Sequence, residues 1–466
     1  MCGGGLALWL TALMLDRALP DAVAIHAVET RDAALDDALY GTLLPPETYK
    51  LHLDLGLDEP DFLRSTRSGF AYGTAFVDWA ATGRSWVQAF HAPLPVVAGV
   101  PLAKLVASRG AGDLQSCLVS AAAVRRGVFA HPPEDKDNPL SRAEYGYLAD
   151  PADLANYYRA RCGARVSHHS ALAWEALRDG DRVESVRLSD GTDLSADLWV
   201  DATGPEAGLI GPAKPLGLAK SVQFSRSDRG SLGLPATLVE SDSAGWRITT
   251  QLRGSATQLS VWTGGAGHTF VETERETAWR GNVVAVGQAA AALLPLTVAP
   301  MRGLQRDVTR LGELLPVSTD MQVEARAFNA AARADAEYAR LFQLALHADI
   351  ALPDGDYWQG MAERMAPDAL PAKLARKLTQ YNARAHLVSY DHEPFDAGDW
   401  AILHDGVGRR PKRADRLASV AAASDVSARL DALRRGATSV TRKMPTHTSY
   451  MTKLLDYLNR RSGTHG

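Results

Sequence analysis

The chain opens on three consecutive glycines, Gly3-Gly4-Gly5, backed by an apolar run, and this start constrains its fold more than any other feature. Leu6 to Leu19 reads as a helix, and Val23 to Val28 as a short β-rich strand ending at Glu29. Glycine turn, helix, then strand ending in an acid is the dinucleotide-binding pattern. The glycines let the backbone approach a phosphate, the helix start offers N–H donors, and the acid takes a ribose hydroxyl. Cofactor contacts are therefore expected at Gly3, Gly5, Ala7 and Glu29. Two departures weaken the pattern. The third glycine of a GxGxxG frame is Leu8, where a side chain should push the helix outward. Only Met1 and Cys2 precede Gly3, which leaves no room for the strand that normally enters the turn. Taken alone, the motif fits a ligand-free glycine-rich start equally well.

The same apolar run has a rival reading. Gly3 to Leu15 with Ala22-Val23-Ala24 behind it could be a secretory signal. No Lys or Arg precedes it, however, Asp16-Arg17 closes it, and about a dozen residues cannot span a bilayer. The three cysteines, Cys2, Cys117 and Cys162, are scattered without metal-ligand or disulfide spacing, as in a reducing compartment. A formal net charge of −4 gives no attraction for nucleic acid or an anionic membrane. The basic cluster Arg409-Arg410-Pro411-Lys412-Arg413 reads as a solvated loop. A cytoplasmic protein without nucleic-acid or membrane partners is expected, and no metal site.

Two later junctions repeat the opening chemistry. A β-like run, Arg182 to Leu188, turns at Gly191, and Leu198-Trp199-Val200 leads into Asp201-Ala202-Thr203-Gly204. Further on, the buried strand Val283 to Val286 ends at Gly287, with a small-residue helix start behind it. Asp201, Gly204 and Gly287 join the expected cofactor contacts, since a strand ending in glycine before a helix suits a phosphate or sugar chain. Asp150 to Arg161 is a helix pattern, 130–145 a polar loop, and from Val323 onward the pattern is helical.

With these segments in order, the sequence resembles the flavin-dependent tryptophan halogenase family over almost its whole length. The glycine turn followed by Trp9, Leu57 to Arg64, Phe76-Val77-Asp78-Trp79, Asp201 to Gly204 and Trp279 to Leu296 carry the likeness. So do Phe328-Asn329, Tyr357-Trp358, Pro367 to Leu370, Trp400 to Gly408 and Met444 to His447 with Tyr450. The resemblance implies an α/β fold: a two-dinucleotide, aromatic-hydroxylase-like FAD-binding core with mixed sheets over 1–320, and a mostly helical substrate-side region over 321–466. It implies FAD, reduced by a separate flavin reductase, a small indole-like substrate, and compatibility with a homodimer. Gly41 to Pro46 takes the place of the flavin strap, which adds Thr42 and Leu296 to the cofactor contacts. Phe70, Tyr72, Trp246 and Trp358 are the substrate-pocket candidates.

The family's mechanism uses a lysine to position the halogenating oxidant and a glutamate to assist loss of the ring proton. Here those positions hold Ala71 and Thr297, and Ala299-Pro300 stands at the halide-binding pair. No catalytic residue carries over. A positioned acid–base group is worth roughly 10²–10⁴ in rate, so the loss of two leaves little halogenation. The sequence thus points to a monooxygenase-type oxidoreductase of this family acting on an aromatic substrate, without support for halide use. The alternative is a degenerate or non-catalytic member acting as a partner or regulator.

Overall fold

In the computed structural model, residues 1–30, 33–81, 83–109, 114–420 and 423–462 are described. Among them, a mixed six-stranded sheet runs in the order Val166–Ser170, Ile25–Glu29, Cys2–Gly3, Trp199–Ala202, Val283–Ala285, Trp279–Arg280. All its pairings are parallel except the last. The strand for which the sequence leaves no room is therefore present. It is β1 (Cys2–Gly3), central in the sheet, with Cys2 opposite Val28 and Asp201 and Gly3 opposite Glu29 and Ala202. Two residues suffice because both edges are paired. The Val28 and Thr30 amides donate to Met1 and Gly3 carbonyls at 2.9 and 2.8 Å. A Cβ on Gly3 would lie 2.0 Å from the Ala202 carbonyl oxygen, so only glycine fits this strand.

From Gly4 the chain enters α1 (Gly5–Ala18), followed by β2 (Ile25–Glu29). Helix α1 is apolar on all sides because it is buried on all sides, with Leu6, Leu8, Leu10 and Leu13 fully enclosed. It lies against the helices Pro151–Arg159 and Ala299–Glu313. No helix among the described residues is long and apolar enough to cross a membrane.

A second, seven-stranded sheet runs His268–Glu274, Lys214–Ser227, Ser255–Trp262, Gly245–Leu252, Thr237–Ser241, Gly73–Val77, Trp86–Ala89. Most of its pairings are antiparallel; Thr237–Ser241 joins Gly73–Val77 in parallel. Helices occupy the chain from Ala299 onward. One of them, Gln322–Ala345, ends against a residue that the sequence assigns to a solvated loop. Arg409 is buried, and its guanidinium donates to the carbonyls of Ala345 and Ala348. The basic cluster is thus partly a helix C-cap, where orphan carbonyls attract a cation.

The last helix, His447–Ser462, is tied back to the sheets by its first residue. His447 Nε2 accepts from the Phe70 amide at 3.1 Å, and its Nδ1 lies 3.1 Å from the Gly233 carbonyl. Both ring nitrogens are used by a neutral imidazole, and burial lowers its pKa to about 4. His52, 2.8 Å from the Tyr158 hydroxyl, is held neutral by burial at about 4 as well. A folded-state pKa below the unfolded value of about 6.5 gives stability that is complete above pH 6.5 and lost as pH falls toward 4. Going from pH 7 to pH 5 should cost about 2 kcal/mol per histidine. Calorimetric melting should show the Tm falling over this window, and His447→Gln should flatten the fall while lowering the Tm at pH 7.

Candidate functional site

The dinucleotide pattern predicts a phosphate at the start of α1. That space holds a side chain. After β2 the chain forms a short helix, α2 (Ala34–Ala38), which directs Asp37 at the α1 terminus. Asp37 Oδ1 accepts from the Leu6 amide at 2.7 Å, and a Cβ on Gly5 would lie 2.1 Å from the same oxygen. Gly5 has φ +55°, a left-handed conformation that glycine adopts without strain, and the missing side chain leaves room for the carboxylate. Asp37 is buried, and the N-terminal partial charge of α1 offsets part of the cost. The acid expected to bind ribose is also engaged. Glu29 accepts from Trp9 Nε1 at 3.0 Å, lies 2.7 Å from His168 Nε2, and pairs with Arg159 at 3.4 Å. Ala7 is buried within α1 and its carbonyl accepts the Thr11 hydroxyl.

The second predicted junction folds onto itself. Asp201 is fully buried and its carboxylate accepts from the amides of Thr203, Leu209 and Ile210 and from the Thr203 hydroxyl. It organises the loop beyond Gly204, which takes φ +70°. At the third junction, the Gly287 amide donates to Asp307 Oδ2 at 3.0 Å. Burial raises the Asp307 carboxyl to about 7, against the pull of Arg310. The Gln288 amide donates to the Tyr40 hydroxyl at 3.0 Å, and a Cβ on Gly287 would meet that oxygen at 2.3 Å.

The strap between these junctions is sewn down. Gln288 Nε2 donates to the Leu39 and Leu293 carbonyls at 2.9 and 3.1 Å, and its Oε1 accepts from the Leu293 amide. Thr42 and Thr250 hydroxyls lie 2.5 Å apart. A Cβ on Gly41 would lie 3.0 Å from Pro295 Cβ, so strap and Pro295 segment are in near contact. Leu296, on that segment, is buried. A cavity of about 40 Å³, room for little more than a water, lies between Gly287-Gln288 and the helices Ala299–Glu313 and Gln322–Ala345, away from α1. Cavities for drug-sized ligands run to roughly 300–1,000 Å³. The Leu6 amide at the start of α1 and the Gly287 amide at the third junction are thus each bonded to a carboxylate of the chain itself.

On the substrate side, Ala71 is fully buried in the strand Gly69–Ala71. Its neighbours are packed rather than open: Phe70 stacks on Phe129 at 4.4 Å, and the Tyr72 hydroxyl donates to the Ala130 carbonyl at 2.5 Å. Trp246 and Trp358 lie in a separate cluster, donating to the Tyr357 hydroxyl and the Asp242 carbonyl at 2.8 and 2.7 Å. The four aromatics are all buried, and they fall into two groups rather than around one cavity. Thr297 is buried, its hydroxyl accepting from the Ala299 amide and the Gln343 side chain, each at 3.3 Å. An ammonium and a carboxylate do line the small void beside Leu294 and Leu296, namely Lys220 and Glu272. They are spent on each other at 2.8 Å. Burial pushes the Glu272 carboxyl up, but Lys220 and Arg364 outweigh it and hold it at about 2. A larger cavity of about 420 Å³ lies elsewhere, lined among others by His91, Leu94, Val97, Leu118 and Leu433.

The residues that decide the site, Asp37, Tyr40, Gln288 and Asp307, escape the sequence reading. Only Gln288 sits in a motif; Asp37 is half of an acid pair, Tyr40 a tyrosine just before Gly41, and Asp307 a lone acid between Arg306 and Val308. Replacing Gln288 by alanine removes three buried hydrogen bonds that hold the strap. The expected loss is about 2–4 kcal/mol, read as a lower urea midpoint.

Comparison with known proteins agrees with this architecture. The profile of the tryptophan halogenase family matches residues 1–262 and 236–423. Tryptophan 6-halogenase SttH of Streptomyces toxytricini is 24% identical, over 90% of this chain and 92% of its own length. The 7-chloro-L-tryptophan 6-halogenase KtzR of Kutzneria sp. (strain 744) is 22% identical over 97% of this chain and 98% of its own. Among solved structures, BrvH, a flavin-dependent halogenase from Brevundimonas sp. BAL3, superposes with a TM-score of 0.85 at 24% identity, covering 97% of this chain and 98% of its own. The family is one of FAD-using enzymes of the oxidoreductase type, supplied with reduced flavin by a separate reductase. The chain belongs to the tryptophan halogenase family.

Proposed function

We propose that this protein is a member of the family that does not halogenate by the family's lysine-and-glutamate mechanism. One observation carries the reading: the positions at which the resemblance places a lysine and a glutamate hold Ala71 and Thr297, both buried. Alanine can neither hold hypohalous acid nor form a haloamine with it. The threonine hydroxyl cannot act as a carboxylate base, and it is already engaged by Gln343. Lys220 and Glu272 do not substitute, because each neutralises the other.

A second reading keeps the family's oxidoreductase chemistry as oxygenation of an aromatic, indole-like substrate. The intact β1–α1–β2 unit with Glu29 at its end favours it. It requires α2 to leave the start of α1. The two readings and the family's own reaction part in one assay. The protein is incubated with FAD, a flavin reductase, NADH, bromide and a panel of indoles, and products are read by mass spectrometry. No brominated and no oxygenated indole above a reductase-only control is the expected result. Oxygenated product alone would establish the second reading, and brominated product would overturn both.

A further inference from the structure

We infer that the start of α1 is an anion site filled in cis: the Asp37 carboxylate stands in for a dinucleotide phosphate and excludes FAD. The inference rests on the geometry of α2 and not on the missing lysine and glutamate, so it can fail while the proposed function stands.

Three features make Asp37 a substitute rather than a chance neighbour. First, it uses the donor that a phosphate would use, the Leu6 amide, at 2.7 Å. Second, it occupies the space that a glycine keeps free for a ligand. Both its oxygens lie within 2.4 Å of where a Gly5 Cβ would be, so the glycine that admits phosphates in this pattern here admits a carboxylate. Third, the segment that carries it is anchored at its far end. The Leu39 carbonyl and Tyr40 hydroxyl are both bonded to Gln288, and Gly41 abuts Pro295. A carboxylate fixed on the same chain acts at a high effective concentration, which a free dinucleotide must outcompete. Its ribose acid, Glu29, is meanwhile held by Trp9, His168 and Arg159.

The site is tested by emptying it. Asp37→Ala removes the carboxylate and leaves the Leu6 amide without this acceptor; Asp37→Asn keeps an oxygen for the Leu6 amide but loses the charge. Wild type and both variants are melted alone and with inorganic pyrophosphate, with ADP, and with chloride at matched ionic strength. Wild type should not respond to pyrophosphate or ADP beyond the salt control. Asp37→Ala should melt lower than wild type and regain roughly 2–5 °C with saturating pyrophosphate. Asp37→Asn, which retains more of the native hydrogen bonding, should fall between them, and it keeps the test open if the alanine variant does not fold. A wild-type response equal to that of the variants, or no response from any variant that folds, would overturn the inference. Neither outcome touches the halogenation assay, which reads product and not anion binding.

Discussion

A carboxylate that is buried must find donors or lose its charge, and Asp37 finds them at the first turn of α1. Much of the site follows from that contact. It requires glycine at position 5, because any side chain there would strike the carboxylate. It sets α2 against α1, which brings Tyr40 to the Gly287 junction and lays Gly41 on Pro295. The Gln288 side chain, accepted by Leu39 and Leu293, then has the hydrogen bonds of a structural residue rather than of one waiting for a ligand. At the third junction Asp307 does for the Gly287 amide what Asp37 does for Leu6. The first amides of both junctions have thus each been given an acid from the chain itself.

The sheet that carries these junctions depends on close backbone approach. The central strand is two residues long, but it is paired on both sides, and Gly3 still permits the close approach to Ala202. Asp201 still organises its loop with four hydrogen bonds. These features stabilise the sheet whether or not a cofactor is present. Ala71 and Thr297, by contrast, lie in well-packed surroundings where a lysine or glutamate would need new partners or would leave a charge unsatisfied. The buried Lys220–Glu272 pair with Arg364 shows how this chain treats such charges: it neutralises them locally.

Much of this architecture was legible in the sequence. The glycine turn, the strand ending at Glu29, the Asp201 to Gly204 corner and the Gly287 junction all mark backbone conformations that few residues can adopt, so they survive as motifs. The placing of Ala71 and Thr297 at the family's lysine and glutamate positions rests on the order of the segments in the sequence alone. The closure could not, because Asp37 acts on Leu6 from 31 residues away and its meaning depends on which way α2 points. Arg409 was misplaced for a similar reason: a cation among cations looks solvated until a helix end is found beside it. The two-residue β1 was missed because strand signals need length, whereas a doubly paired strand does not.

The central claim is that this chain's dinucleotide cleft is shut by its own side chains. The most direct measurement is isothermal titration calorimetry of oxidised FAD into the wild-type protein, with flavin fluorescence followed in parallel. The account predicts no saturable heat and no change in fluorescence at protein concentrations of tens of micromolar. Stoichiometric binding with fluorescence quenching would show that FAD displaces Asp37, and would contradict it.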